Sequence, residues 1–249
     1  MEFSGLTSHL TVHAAKLAEA ADGSLDVAVP TCPGWTVADL VHHVAAVYEH
    51  KIQCMELGQN PPPRTVEPTT PPLTRMRTAL GNLLVEFNGR QAQDETYTWY
   101  GPDQTVGFWI RRMAHETVIH RADAEIAVGA TPTPIDDELA VDGIDEMLRI
   151  FVDWSSKHWA AELGEALAQA GHDTFVVRAD DHVWTVQVSE KTVDVTDGPG
   201  GGDETAMISG TPSQVLLWLW RRSDADDIEV TGNEEAVARF RGLLGAFSG

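Results

Sequence analysis

Basic residues are scarce in this chain: 17 Lys and Arg stand against 38 Asp and Glu, a formal net charge of −21. A field of that sign repels phosphate backbones, which argues against nucleic acid as a partner but says nothing about the fold. Long apolar runs are missing too. No segment reaches the ~18 residues that cross a bilayer, so no membrane role is expected. The stretch MEFSGLTSHLTVHAAKLAEA is broken by polar residues every few positions and lacks a basic start followed by an apolar core. A secretory leader is therefore not indicated, and a cytoplasmic location is expected. Cysteine is nearly absent. Cys32 and Cys54 form no C-x-x-C pair, and no disulfide framework is indicated. What is present is ordinary globular material, 249 residues with 43% hydrophobic side chains, enough for one large domain or two small ones.

The first half of the chain reads as helices. Leu6, Leu10, Ala14 and Leu17 recur at three- and four-residue steps and predict a helix over 5–22. A loop follows over Leu25–Trp35, punctuated by Pro30 and Pro33-Gly34. Thr36 offers an N-cap with Asp39 three residues on, opening a helix that runs to about Leu57 on the face Val37, Leu40, Val41, Val44, Val47 and Tyr48. The proline-rich stretch Gln59–Pro72 excludes helix and central strand and reads as a stiff crossing between bundle helices. A third helix is predicted over Leu73–Arg90 and a fourth over Asp103–Val128. Further helical pattern fills 135–170, with a break expected near Gly164.

After Gly171 the period becomes two. Trp184, Val186 and Val188 share one face of a strand, and shorter strands are predicted at Phe175–Arg178, Thr192–Thr196, Ala206–Ser209 and Ile228–Thr231. Thr211-Pro212 opens a helix through Leu216-Leu217-Trp218-Leu219-Trp220 that is apolar nearly all round and must be buried. A last helix is capped by Asn233. The expected class is α+β, a helical domain over 1–160 followed by a smaller α/β domain over 161–249. The tryptophans Trp35, Trp109, Trp218 and Trp220 either line a cleft or belong to the core, and core is the favoured reading.

The segment richest in chemistry is RRMAHETVIH, residues 111–120. It is H-E-x-x-x-H, one residue longer than the zincin pattern. Zincin spacing sets two histidines at i and i+4 and leaves the Glu as base. Here the i,i+4 pair is Glu116 and His120, while His115 turns about 100° away, onto the side of Phe108, Ile119 and Ala122. Glu116 and His120 are thus a candidate ligand pair, although such a pair is also an ordinary helix-surface contact. The second helix supplies His42-His43, of which His43 flanks the apolar face. His50 and Cys54, further along that flank, compete with it. A His/His/Glu set suits Zn²⁺ with one position open.

Cys32-Pro33-Gly34-Trp35-Thr36-Val37-Ala38-Asp39-Leu40-Val41-His42-His43-Val44 resembles the opening signature of the maleylpyruvate isomerase family, an actinobacterial branch of the DinB-like helical bundles. Residues 111–125, RRMAHETVIHRADAE, resemble its second signature, and Ile208–Pro212 through Leu216–Arg222 its C-terminal module. The resemblance implies a DinB-like four-helix bundle followed by the small α/β domain. It implies a divalent metal, most simply Zn²⁺, on His43, Glu116 and His120. It also places the family's arginine on Arg222, a candidate catalytic-site residue that either contacts an anionic substrate or thiol across the domain interface or forms a structural ion pair. A glycine commonly precedes that arginine in the family pattern; Arg221 stands there instead and leaves the register between Arg221 and Arg222 open.

The implied cosubstrate is mycothiol, whose metal-activated thiol adds to an electrophilic carbon; for an isomerisation, bond rotation and elimination follow. Asp123, three residues beyond His120, could orient that imidazole, or could be an ordinary surface aspartate. The expected partners are a small-molecule substrate and a low-molecular-weight thiol, and a homodimer is compatible with the sequence. Two other classes compete: a non-catalytic metal-binding or interaction protein on the same scaffold, and a metal-dependent hydrolase with His115 or His13 as base.

Overall fold

The computed structural model describes residues 1–63, 69–223 and 227–247. The chain divides into two compact units, Met1–Thr133 and Pro134–Gly249.

The first unit is a four-helix bundle. Its helices are α1 (Phe3–Ala21), α2 (Val37–Leu57), α3 (Pro72–Asn88) and α4 (Val106–Ala127), with α1 packed along α4 and α2 along α3 and α4. Thr36 caps α2 through the expected box: its hydroxyl accepts from the Asp39 amide, and the Asp39 carboxylate accepts from the Thr36 amide at 2.8 Å. Gly58 ends the helix at φ 62°, a left-handed position that glycine occupies without a Cβ clash. Helix α4 is buried on nearly every side, including Trp109, Met113, His115, Val118, Arg121 and Asp123. Such a helix needs internal partners for its charged groups. The middle of the proline-rich crossing, residues 64–68, lies outside the described residues.

The second unit begins earlier than the sequence-based boundary near residue 160. Helix α5 (Asp137–Glu146) packs on α8 (Pro212–Leu219), and α7 (Ala160–Ala170) packs on α9 (Glu234–Phe247), so these helices group with the sheet. Strands β1 (Thr174–Ala179), β2 (His182–Val188), β3 (Val193–Asp197), β4 (Ala206–Gly210) and β5 (Glu229–Gly232) form one sheet in the order β3-β2-β1-β4-β5, with β1 and β4 parallel and the other neighbours antiparallel. Helix α8 is buried along its length, as its all-round apolar sequence requires.

The break expected at Gly164 is not there; Gly164 lies within α7, where a single glycine is a tolerable cost. The helical register instead widens into a π-helical stretch at Met147–Trp154 and breaks at Trp159, with α6 (Ser155–His158) between them. This region meets the sheet in a way no local pattern reveals. Asp153 accepts the Val195 amide at 3.0 Å and Ser156 the Val193 amide at 2.9 Å, so two side chains occupy the outer edge of β3. Among the described residues, no helix is long and apolar enough to cross a membrane.

Candidate metal centre

Two bundle helices and one loop build the site in the first unit. His43 comes from the second turn of α2, Glu116 and His120 from the middle of α4. Glu116 Oε1 lies 3.1 Å from His43 Nε2 and 3.1 Å from His120 Nε2, and the two imidazole rings meet nearly edge to face, centroids 4.9 Å apart. One ligand atom from each residue falls within 4.8 Å of the others. Tetrahedral Zn²⁺ with bonds of about 2.0–2.2 Å sets its donors roughly 3.3–3.5 Å apart, so this trio is close to the required spacing.

Two further atoms, His120 Nδ1 and Glu116 Oε2, are engaged as well. Asp123 Oδ2 lies 2.9 Å from His120 Nδ1. Arg112, one turn before Glu116, forms an ion pair with Glu116 Oε2. Burial works to raise the Glu116 carboxyl, but Arg112, His120 and His43 together hold it well below the usual carboxylate range. Burial likewise opposes charge on His120, yet Glu116 and Asp123 outweigh it and raise its pKa to about 9. The physical content is simple. When His120 Nδ1–H donates to Asp123, the Nε2 lone pair faces a carboxylate oxygen, and only a cation between them resolves that opposition. A proton on Nε2 meets that requirement, and so does a metal ion.

The loop between α1 and α2 closes the outer side. Cys32-Pro33-Gly34-Trp35 is a turn in which the Trp35 amide donates to the Cys32 carbonyl at 3.0 Å, with Gly34 at φ 85° in the position where type II turns need glycine. It delivers Trp35 onto His43, ring centroids 4.8 Å apart, so Trp35 is half-buried against a candidate ligand and does not join Trp109, Trp218 and Trp220 in the core. Thr31 Oγ1 donates to Asp123 Oδ1 at 2.5 Å, and the Cys32 thiol to Asp123 Oδ2 at 3.7 Å.

The competing residues lie elsewhere. His42 faces Arg75 of α3, its Nδ1 3.4 Å from the guanidinium. His50 lies 3.1 Å from Lys51 Nζ and 3.5 Å from the buried Cys54 thiol. His115 is 1% exposed on the core side of α4, and His13 is buried and stacked on His9. Trp35 takes a place at the site, the less favoured of its two sequence readings, whereas the sequence assigns no site role to Arg112, although it precedes Glu116 by four residues on the same helical face. Thr31 carries no such local signal.

Arg222 and Arg221 end helix α8 in the second unit. The Arg222 amide donates to the Leu217 carbonyl and the Arg221 amide to that of Trp218, the two bonds of a Schellman ending, with Arg221 itself at φ 62°. That left-handed position is the one glycine ordinarily fills. The Arg222 side chain donates to the Trp220 carbonyl at 2.6 Å.

Comparison with known proteins agrees with this architecture. The family model for the mycothiol maleylpyruvate isomerase N-terminal domain matches residues 7–125, and the corresponding C-terminal domain model matches residues 138–239. Among solved structures, the chain is similar to the mycothiol-dependent maleylpyruvate isomerase, with 14% identity, 93% of each chain covered and a TM-score of 0.62. A mutant of that isomerase gives the same values, 14%, 93% of each chain and 0.62. No curated protein matches. Two domain models covering most of the sequence in order, on the matching fold, show that the chain belongs to the mycothiol-dependent maleylpyruvate isomerase family.

Proposed function

We propose that this chain is a metal-dependent isomerase or S-transferase that uses mycothiol to act on a small electrophilic substrate. Family membership supports an isomerase-like enzyme with a thiol cosubstrate. The observation that carries the metal is the convergence of His43 Nε2, His120 Nε2 and Glu116 Oε1, together with Asp123 on the far nitrogen of His120.

In this reading His43, Glu116 and His120 hold the cation. A divalent ion such as Zn²⁺ would supply Lewis acidity, which lowers the pKa of a thiol into the neutral range. Asp123 takes the Nδ1–H of His120 and so keeps Nε2 available as a ligand. Arg112 holds the second oxygen of Glu116, which restrains the carboxylate and offsets its charge in a buried setting. Trp35 lies against one flank of His43. Arg221 occupies the left-handed position where the family pattern has glycine, which favours Arg222 as the counterpart of the family's arginine. Arg222 is assigned the contact with an anionic group of substrate or thiol, a role suited to a guanidinium.

Elemental analysis of wild type beside His43→Ala, Glu116→Gln and His120→Ala, followed by titration of the loaded protein with mycothiol, tests this function. A three-ligand site with an open position predicts about one equivalent of metal in the wild type, lost in all three variants, with thiol binding that requires the metal. A folded wild type that takes up no metal on reconstitution, or variants that retain it, would remove the reading.

A further inference from the structure

We infer that the loop between α1 and α2 belongs to the metal centre, with Thr31 and Cys32 acting as positioning residues on His120 through Asp123. This inference rests on the assignment of His43, Glu116 and His120 as metal ligands.

Asp123 is 0% exposed, and a carboxylate so placed must have its acceptor capacity met inside the protein. Its two oxygens are held differently. Oδ1 accepts the Thr31 hydroxyl at 2.5 Å, while Oδ2 lies between the imidazole edge of His120 at 2.9 Å and the Cys32 thiol at 3.7 Å. Thr31 thus fixes the rotation of the carboxyl group, and that rotation decides whether Oδ2 faces Nδ1. Beside a carboxylate the Cys32 sulfur is held as a thiol that donates to Oδ2.

The loop is itself held firmly. The Cys32 amide donates to the Val29 carbonyl at 3.1 Å, the Val29 amide donates to the Trp35 carbonyl at 2.9 Å, and Ala28 bridges Thr36. The same loop sets Trp35 against His43. One turn therefore bears on both histidine ligands from outside, directly on His43 and through Asp123 on His120. Coupling of this kind is reciprocal: if the loop favours the liganded arrangement, bound metal must favour the closed loop.

Both directions can be measured. Zn²⁺ affinity is read by competition with a chromophoric chelator for wild type, Thr31→Val, Thr31→Ser and Cys32→Ala. In parallel, alkylation of Cys32 by iodoacetamide is followed by peptide mass spectrometry with and without Zn²⁺, the buried Cys54 serving as internal reference. Loss of the Thr31 hydroxyl should weaken Zn²⁺ binding about tenfold, the low end of what removing a support of a ligand imidazole does, while Thr31→Ser restores it. Zn²⁺ should slow alkylation of Cys32 in the wild type, a readout that holds even if a variant fails to fold. Wild-type affinity in Thr31→Val, or alkylation indifferent to Zn²⁺, overturns the inference while leaving the ligand trio intact. Complete loss of zinc in Cys32→Ala overturns it in another way, making Cys32 a ligand. A wild type that binds no Zn²⁺ removes the trio and this inference together.

Discussion

Asp123 meets the Nδ1 edge of His120 at 2.9 Å from one turn further along the same helix, while Glu116 meets the Nε2 edge at 3.1 Å from one turn before. The imidazole is thus held at both nitrogens by carboxylates of its own helix. Replacement of Asp123 by Asn keeps the size but removes the charge and offers an amide N–H where Nδ1–H needs an acceptor. Metal affinity should fall 10–100-fold in Asp123→Asn, as for other partners of ligand histidines, with the fold retained. Chelator competition measures it, and an unchanged dissociation constant would mean that Asp123 serves the helix and not the metal.

Arg221 carries a local cost. At φ 62° a residue with a Cβ is less favourable than glycine by about 1–2 kcal/mol. Part of that is offset by the larger entropy glycine loses on folding. Arg221→Gly should therefore raise the stability of the second unit by roughly 0.5–1 kcal/mol, seen as a higher urea midpoint at unchanged slope. A lower midpoint would show that the packing of the Arg221 side chain over Gly245 outweighs the backbone strain.

Thr36 joins the site loop to α2, so its cap affects both. Thr36→Ala should cost about 1 kcal/mol of stability. Hydrogen bonds from the Thr36 side chain and amide hold the Asp39 carboxyl below its ordinary value of 3.8. A depressed folded-state pKa stabilises the protein above the unfolded value, and that contribution is lost as pH falls through the folded value. The difference between wild type and Thr36→Ala should accordingly be full at neutral pH and shrink below about pH 3.8. Thermal unfolding across that range measures it; a difference independent of pH would mean that Asp39 contributes no charge to the cap.

Much of the candidate site was legible before any coordinates. The i,i+4 relation of Glu116 and His120 and the off-face turn of His115 follow from 3.6 residues per turn, and the burial of His115 agrees. Arg112 lies on the same face, but an arginine four residues before a glutamate is common on helix surfaces and marks no site by itself. The loop residues were different. Thr31 and Asp123 are 92 positions apart, and no periodicity links them.

The sequence by itself determined what local geometry governs: the bundle helices, the capping box at Thr36, the buried α8 and the change to strand period after Gly171. Only the tertiary structure decided where the units divide, because the boundary depends on α5 packing against α8 and not on any composition shift near residue 160. It also decided that His43, rather than His50 with Cys54, meets Glu116, and that Trp35 leaves the core for the site. Those outcomes depend on how separate elements pack in space, and a helical wheel records only which residues share one face of one helix.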